Sequence, residues 1–431
     1  MSNSHSIKFT KIAIQGWRQF ENIELELHDR LTIITGANGA GKSSLIRIFS
    51  SHFGYSKPFL STPVADKSGT FSYLSGLFTS MVKNNWFKKN NFNNVGKIIY
   101  SNSIESALEI PNENGIQYNL TFQNMQNVPG IHIDSHQAVS AYQTITNIPA
   151  ALFTVANAYQ QYSQEVMVRY QNGYTGFSPL FRMKEAIIAM ATFGEGNRRT
   201  TGNPKLVNAL DGFVEVLLKI LPSSLGFRDI TVRQSEVVLQ TNTGEFLLDA
   251  VSGGIGTLID FAWRLHMFSI ESPSFVVTID EPENHLHPSM QRSLMRRLME
   301  AFPQVQFIVA THSPFIISSV KDSTVYVLRY EESENRHMQG FSSESTKSRV
   351  ISERLDAINK SASANQILRE VLGVEATVPE WVSDDLNLIV NRYKNLELNV
   401  RTLIELREEL KQRGYSDQYP VALSQLVAHT V

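Results

Sequence analysis

Leu31 to Ser44 reads LTIITGANGAGKSS. The apolar run that opens it stops at Gly36, and the pattern GxxxxGKS follows as Gly36, Gly41, Lys42 and Ser43. Leu45, Ile46, Ile48 and Phe49 then recur at helical spacing. A strand that passes through a glycine-rich turn into a helix is the context in which this short pattern means a phosphate-binding loop. Glycine lets the backbone curl so that successive N–H groups face one anion, and the helix N-terminus adds a partial positive charge. Gly36, Ala37, Asn38, Gly39, Ala40, Gly41, Lys42, Ser43 and Ser44 are therefore the candidate nucleotide-binding residues. Lys42 is placed to meet the terminal phosphates of ATP, and the Ser43 hydroxyl to ligate Mg²⁺.

Around this loop the chain has 431 residues, enough for two or three domains or for one with large insertions. Lys and Arg total 39 against 41 Asp and Glu, a net charge of -2 that gives no global pull toward nucleic acid or membrane. Cysteine is absent, which excludes disulfides, Cys-ligated zinc and thiol catalysis. The first ten residues, MSNSHSIKFT, lack the apolar core of a signal peptide. No apolar run reaches the roughly 18 residues of a membrane span. A soluble cytoplasmic protein without membrane contacts is expected.

Outward from the loop, Ile7–Ile14 and Ile23–Leu27 read as strands around a turn at Arg18-Gln19-Phe20. Residues 55–96 read as a loop-rich insertion. Short alternating runs from 97 to 134, with a turn at Asn112-Glu113-Asn114-Gly115, predict antiparallel strands. Helices are expected near 151–170, 180–194 and 205–220, then strands at Phe227–Arg233, Val237–Thr241 and Glu245–Leu248. Further on, apolar strands alternate with helices, the pattern of a largely parallel α/β core. The fold class expected is α/β, with a mixed, mainly parallel core sheet, an antiparallel β subdomain at 55–135 and a helical lobe at 138–222. Residues 1–340 form the nucleotide-binding domain in this reading, and 341–431 a helical extension.

Asp280 ends the apolar strand Phe275–Ile279. A carboxylate at the end of a buried strand beside a phosphate loop is placed to hold Mg²⁺. Glu281 follows just past the strand, where it can orient or deprotonate the attacking water. Ser252-Gly253-Gly254 opens another helix, SGGIGTLIDFAW, and is a second anion site. The strand Phe307–Ala310 leads into Thr311-His312-Ser313.

These motifs, in this order, resemble the ABC-type ATPase superfamily. Gly36–Ser43 matches its Walker A, Ser252-Gly253-Gly254 its signature, Phe275–Glu281 its Walker B and His312 its switch histidine. The resemblance implies a P-loop ATPase head that turns over ATP with Mg²⁺, with Glu281 and His312 catalytic. It also implies a head-to-tail dimer in which Ser252 of one subunit reaches the ATP of the other. Val251 and Ile255 depart from the longer LSGGQ form of the signature. Gln137, where the chain enters the helical lobe, is the candidate Q-loop glutamine near the metal. DEPENHLHP (280–288) followed by ATHSPFIISS (310–319) is similar to the OLD-like and SMC-related branch. Stretches such as DSHQAVSAYQTITNIPA, LPSSLGFRDITVR and ILREVLGVEATVPEWV resemble the compact ATPases of anti-phage defence systems, those of Septu foremost, with PARIS and retron ATPases as near alternatives. That likeness implies an oligomer built from such dimers and a separate effector, a nuclease (HNH-type for Septu), with nucleic acid as a further possible partner.

Other readings are weaker. His285-x-His287 suggests zinc but has no spaced third ligand, and His132 and His136 read as nuclease-like ligands only in isolation. A RecF- or SMC-like repair ATPase is the runner-up, though the stretch between Ser43 and Ser252 shows no sustained heptads. An OLD nuclease needs a further acidic domain, and Asp384-Asp385 lies in a helical pattern. A transporter ATPase fits DEPENHLHP poorly. In the tail Leu386, Ile389, Tyr393, Leu396, Val400, Leu403 and Leu410 predict one long helix with an apolar seam, for a partner or for the subunit's own core.

Overall fold

The computed structural model describes residues 6–65, 71–74, 92–111, 115–135, 142–147, 153–331, 349–356, 363–373, 380–394, 396 and 399–427. They belong to two compact units, Met1–Ala364 and Asn365–Val431.

The first unit is organised by one eleven-stranded sheet. Its strands are β1 Phe9–Trp17, β2 Phe20–Glu26, β3 Leu31–Gly36, β4 Phe92–Tyr100, β5 Glu105–Pro111, β6 Thr121–Gln123, β7 Gly130–Ile133, β8 Val276–Asp280, β9 Gln306–Ala310, β10 Thr324–Glu331 and β11 Arg349–Arg354. They lie in the order β6-β5-β4-β1-β2-β11-β10-β3-β9-β8-β7. From β10 to β7 all neighbours are parallel, whereas β6 to β2 are antiparallel. Residue choice follows this split. In β3, β8 and β9 every position is buried, as in a parallel sheet covered on both faces. In β2 and β5 buried and less buried residues alternate, as in a sheet with one core face.

Helix α1, Lys42–Ser50, leaves β3 through the glycine loop, lies against β8 and β9, and buries Leu45, Ile46, Ile48 and Phe49 in a core shared with residues of β1, β2 and β4. The helical lobe comprises α2 Val155–Tyr170, α3 Pro179–Phe193, α4 Pro204–Ile220 and α5 Gly253–Glu271. Thr154, Ser178 and Asn203 cap the first three, each accepting a hydrogen bond from a first-turn N–H. Phe213 of α4 meets Trp263 of α5 edge-on at 5.0 Å between centroids. Between α4 and α5 the predicted strands form a three-stranded antiparallel sheet, Phe227–Arg233, Glu236–Thr241 and Gly244–Leu247. Helix α6, Pro288–Ala301, joins β8 to β9, and the short α7, Pro314–Ile317, follows β9. No helix among the described residues is long and apolar enough to cross a membrane.

Three expectations change. The described part of the insertion is not loop-rich, for Phe59–Leu60 pairs with Gln117–Tyr118 and Thr62–Ala65 with Phe71–Leu74. Residues past 340 do not begin a helical extension, because β11 completes the main sheet between β2 and β10 and the compact unit runs to Ala364. The tail is not one long helix. Its helices are α8 Glu380–Tyr393, α9 Val400–Gln412 and α10 Tyr419–Val427. Leu386, Ile389 and Leu410 of the seam are buried with Val382, Val390, Leu406, Ala422 and Leu426 in this unit's own core. Leu396, between α8 and α9, and Val400, the first residue of α9, are 51% and 75% exposed. Asp384 and Asp385 lie within α8.

Candidate functional site

The sheet register assembles the site. Asp280 pairs with Ala310, and Ala310 with Ile34, so the ends of β8, β9 and β3 fall in one row. Each chain turns out of the sheet just past this row, into the Asp280–Pro288 loop, the Thr311–Ser313 turn and the glycine loop. Two hydrogen bonds tie the row together: Thr35 Oγ1 donates to the Thr311 carbonyl at 2.8 Å, and the Glu281 N–H to the Ala310 carbonyl at 2.8 Å.

Gly36 has φ 139° and Gly41 φ 100°, conformations that side chains rarely adopt. Space imposes the same choice. A Cβ at Gly36 would collide with the Leu328 carbonyl, and one at Gly41 with the Phe20 ring and the Gln19 amide. Lys42 is buried, and its Nζ donates to the carbonyls of Gly36 and Ala37 at 3.1 Å each, which arches it over the loop. Burial pushes its pKa down, while the charges of Asp280, Glu281 and Glu283 oppose that shift.

Asp280 is buried, and burial raises its pKa to about 6. A hydrogen bond from the Ser43 side chain works against the rise, and the charges of Glu281 and Asp134 add to it. Asp280 Oδ1 has no hydrogen-bond partner although it is shut away from solvent. A buried carboxylate oxygen left bare beside a hydroxyl is a donor set that suits a hard divalent cation. Ser43 and Asp280 therefore fit Mg²⁺. Among the described residues no group of three or more His, Asp or Glu is arranged to hold a metal.

Glu281 has φ 50°, a left-handed conformation that is costly for a residue with a side chain and that clusters at functional sites. The twist turns its carboxylate off the strand. Asn284 Nδ2 donates to Glu281 Oε2 at 3.1 Å, and His312 Nε2 lies 3.9 Å from Oε1. The His312 pKa is lowered, first by burial and then by the charge of Lys42, with Glu281 opposing. The shift favours the neutral form of the imidazole.

Two residues of this loop, Glu283 and Asn284, make contacts within the subunit that the sequence alone did not indicate. Glu283 Oε1 accepts the His312 N–H at 2.7 Å and so fixes the Thr311–Ser313 turn. Asn284, besides Glu281, donates to the Ser135 carbonyl at 3.2 Å and ties the loop to the end of β7. The only signal available was their place in DEPEN, one turn past Asp280.

Ser252 is the N-cap of α5 but makes no capping hydrogen bond, and it is exposed together with Gly253. Gly254 is buried where a Cβ would come within 2.8 Å of the His285 carbonyl, so the Ser252–Gly254 turn abuts the 284–287 loop of its own chain. Asp134, Ser135, Thr257, Asp280 and Glu281 line a small cleft between them. Two of the four histidines weighed as metal ligands have structural partners instead. His287 Nδ1 accepts the Ser289 N–H and caps α6. His132 is buried, bonds Thr278 Oγ1 at 3.0 Å and is pushed down to about 4 by burial. His136 and Gln137 lie outside the described residues.

The family described as "AAA domain, putative AbiEii toxin, Type IV TA system" matches residues 31–318. The chain is 35% identical over 96 residues to the "Retron Vc95 probable ATPase" of Vibrio cholerae serotype O1 biovar El Tor, covering 20% of this chain and 19% of that protein. It is 33% identical over 125 residues to the "Retron Ec83 probable ATPase" of Escherichia coli, covering 28% and 22%. With "Septu protein PtuA" of Bacillus mycoides it shares 28% over 172 residues, covering 38% and 21%. The matched segments thus span about a fifth of each relative's length. Among solved structures, an SMC head domain from Pyrococcus furiosus bound to the C-terminal domain of ScpA aligns at TM-score 0.43 and 12% identity, covering 85% of this chain and 99% of that one.

Proposed function

The chain belongs to this AAA-domain family, and on that premise we propose that it is the ATP-binding and hydrolysing subunit of a bacterial anti-phage defence complex, one that oligomerises and controls a separate effector, a nuclease. The observation that carries the reading is the single row where the Lys42 loop, the Ser43–Asp280 pair, Glu281 and His312 meet. Each group has one task. The loop N–H groups and Lys42 hold the phosphates. Ser43 and Asp280 would hold Mg²⁺, which neutralises phosphate charge when bound. Glu281, aimed by its left-handed backbone and by Asn284, takes a proton from the attacking water. His312, whose backbone N–H is held by Glu283, places its imidazole at the reacting end beside Glu281. Mg²⁺-dependent ATP turnover by the purified chain is the direct test, and a chain that binds no ATP overturns the reading.

The names of the relatives, retron ATPases and a Septu protein, support the defence setting. The exposed Ser252-Gly253 turn supports a composite site closed by a second subunit. Ser252→Arg is expected to leave ATP binding to the subunit's own loop unchanged while hydrolysis falls to background. Mixing it with Lys42→Ala protein should restore part of the rate, since one of two composite sites then carries neither change. Full activity of Ser252→Arg alone would remove the signature role. The C-terminal helices are proposed for oligomer or effector contacts through Val400 and Ile404, exposed one turn apart on α9, and through the exposed Leu396 before it. Leu396→Asp with Val400→Asp should preserve folding and ATP binding but lower the mass seen by light scattering or the recovery of the effector. An unchanged assembly and unchanged effector binding would reject that surface.

A further inference from the structure

Strand β10 runs parallel to β3, with Leu328 opposite Gly36, so its C-terminal end rises beside the glycine loop. Along it, Tyr326 and Leu328 point into the core that also holds Phe20, Leu45 and Ile46. Tyr330 is next on that face by the two-residue period of a strand. Across the sheet it pairs with Val350, which pairs in turn with Phe20. Phe20 and Val350 are fully buried, yet Tyr330, in the same row, is 43% exposed. Its hydroxyl reaches the loop apex, where a Cβ on Gly39 would lie 3.2 Å away. Gln19 Nε2 donates to the Gly39 carbonyl at 3.3 Å, so the apex is fixed and the ring stands beside a defined surface.

A half-exposed aromatic ring at the rim of a phosphate-binding loop offers a flat apolar face, and what stacks on such a face is another planar ring. We infer that Tyr330 is the platform for the base of the bound nucleotide, so that the site recognises a nucleoside triphosphate and not merely a chain of phosphates. This inference rests on the nucleotide-site reading above and adds the part of the ligand that the loop itself cannot read. Backbone N–H groups and Lys42 are blind to the base. The competing role for Tyr330 is a hydrogen bond from its hydroxyl to a phosphate, and the two roles separate by ligand and by side chain.

The experiment is calorimetric titration of the full chain with Mg²⁺ and either ATP or inorganic tripolyphosphate, for the wild type, Tyr330→Phe and Tyr330→Ala. Stacking predicts that Tyr330→Ala weakens ATP binding about tenfold, the scale of one lost base–aromatic contact. Tripolyphosphate binding should be unchanged in the same variant, which also shows that the loop remains folded. Tyr330→Phe keeps the ring and should stay within roughly twofold of the wild type for both ligands. Unchanged ATP affinity in Tyr330→Ala, equal losses for both ligands, or a Phe variant as weak as the Ala variant would each overturn the inference. A wild-type chain that takes up neither ligand would instead overturn the phosphate-loop reading itself.

Discussion

Glu281→Gln is expected to slow ATP hydrolysis by roughly 10²–10⁴-fold, the range for loss of a positioned general base, while ATP binding persists. The two halves of this expectation come from different parts of the geometry. Binding rests on the loop, Lys42 and the Ser43–Asp280 pair, none of which the substitution touches. Glutamine keeps the length and planarity of the side chain. Its oxygen can still accept from Asn284, which donates to Oε2 at 3.1 Å, and its amide then faces the His312 ring. Shape survives and basicity is lost. ATP should therefore accumulate on the protein, and in a composite site it should hold the dimer closed. Single-turnover hydrolysis and sizing in ATP would read out both effects. Normal turnover by the variant would move the base elsewhere, with Glu283 the nearest remaining carboxylate of the loop.

What the sequence revealed follows from how local each feature is. The glycine loop, Asp280-Glu281 and Thr311-His312-Ser313 are contiguous strings at strand ends, and reading the strands located them. The alternation of apolar runs with helices likewise disclosed the parallel half of the sheet. Glu283 was opaque because its role depends on the His312 N–H, a backbone group 29 residues away that only the pairing of β8 with β9 brings near. Strand β11 was missed for a similar reason. RVISER has two large apolar residues, and what holds it is pairing to β2, across 328 residues at the Arg349–Glu21 ion pair. In the tail, 3-4 spacing continued across a break. The side chain of Asn399 accepts the Thr402 N–H and restarts the helix, and a seam counted through that cap joined residues of two helices. Periodicity reports a face but not the end of the element that carries it.

Lys42→Ala should weaken ATP binding by at least roughly 30-fold, the lower end of what truncating one partner of a buried charge pair costs. Three carboxylates, those of Asp280, Glu281 and Glu283, bear on Lys42. Its ammonium is the positive charge that offsets them where the phosphates arrive. Without it, ATP meets acidic side chains, and Mg²⁺ at Ser43 and Asp280 would have to compensate. Folding should not suffer in parallel. Lys42 is a cation held against its desolvation cost, as its lowered pKa records, and its hydrogen bonds go to carbonyls of a loop whose shape the glycines already set. Thermal unfolding separates the two consequences. With ATP at about 100 times the wild-type Kd, binding should stabilise the wild type by about 2.7 kcal/mol. The variant should gain less than about 1 kcal/mol under the same conditions, from a starting melting temperature close to that of the wild type. An equal ATP-induced shift in both proteins would show that Lys42 does not face the phosphates. A variant that melts far lower without nucleotide would show instead that the lysine holds the loop together, and its loss of binding would then carry no information about charge.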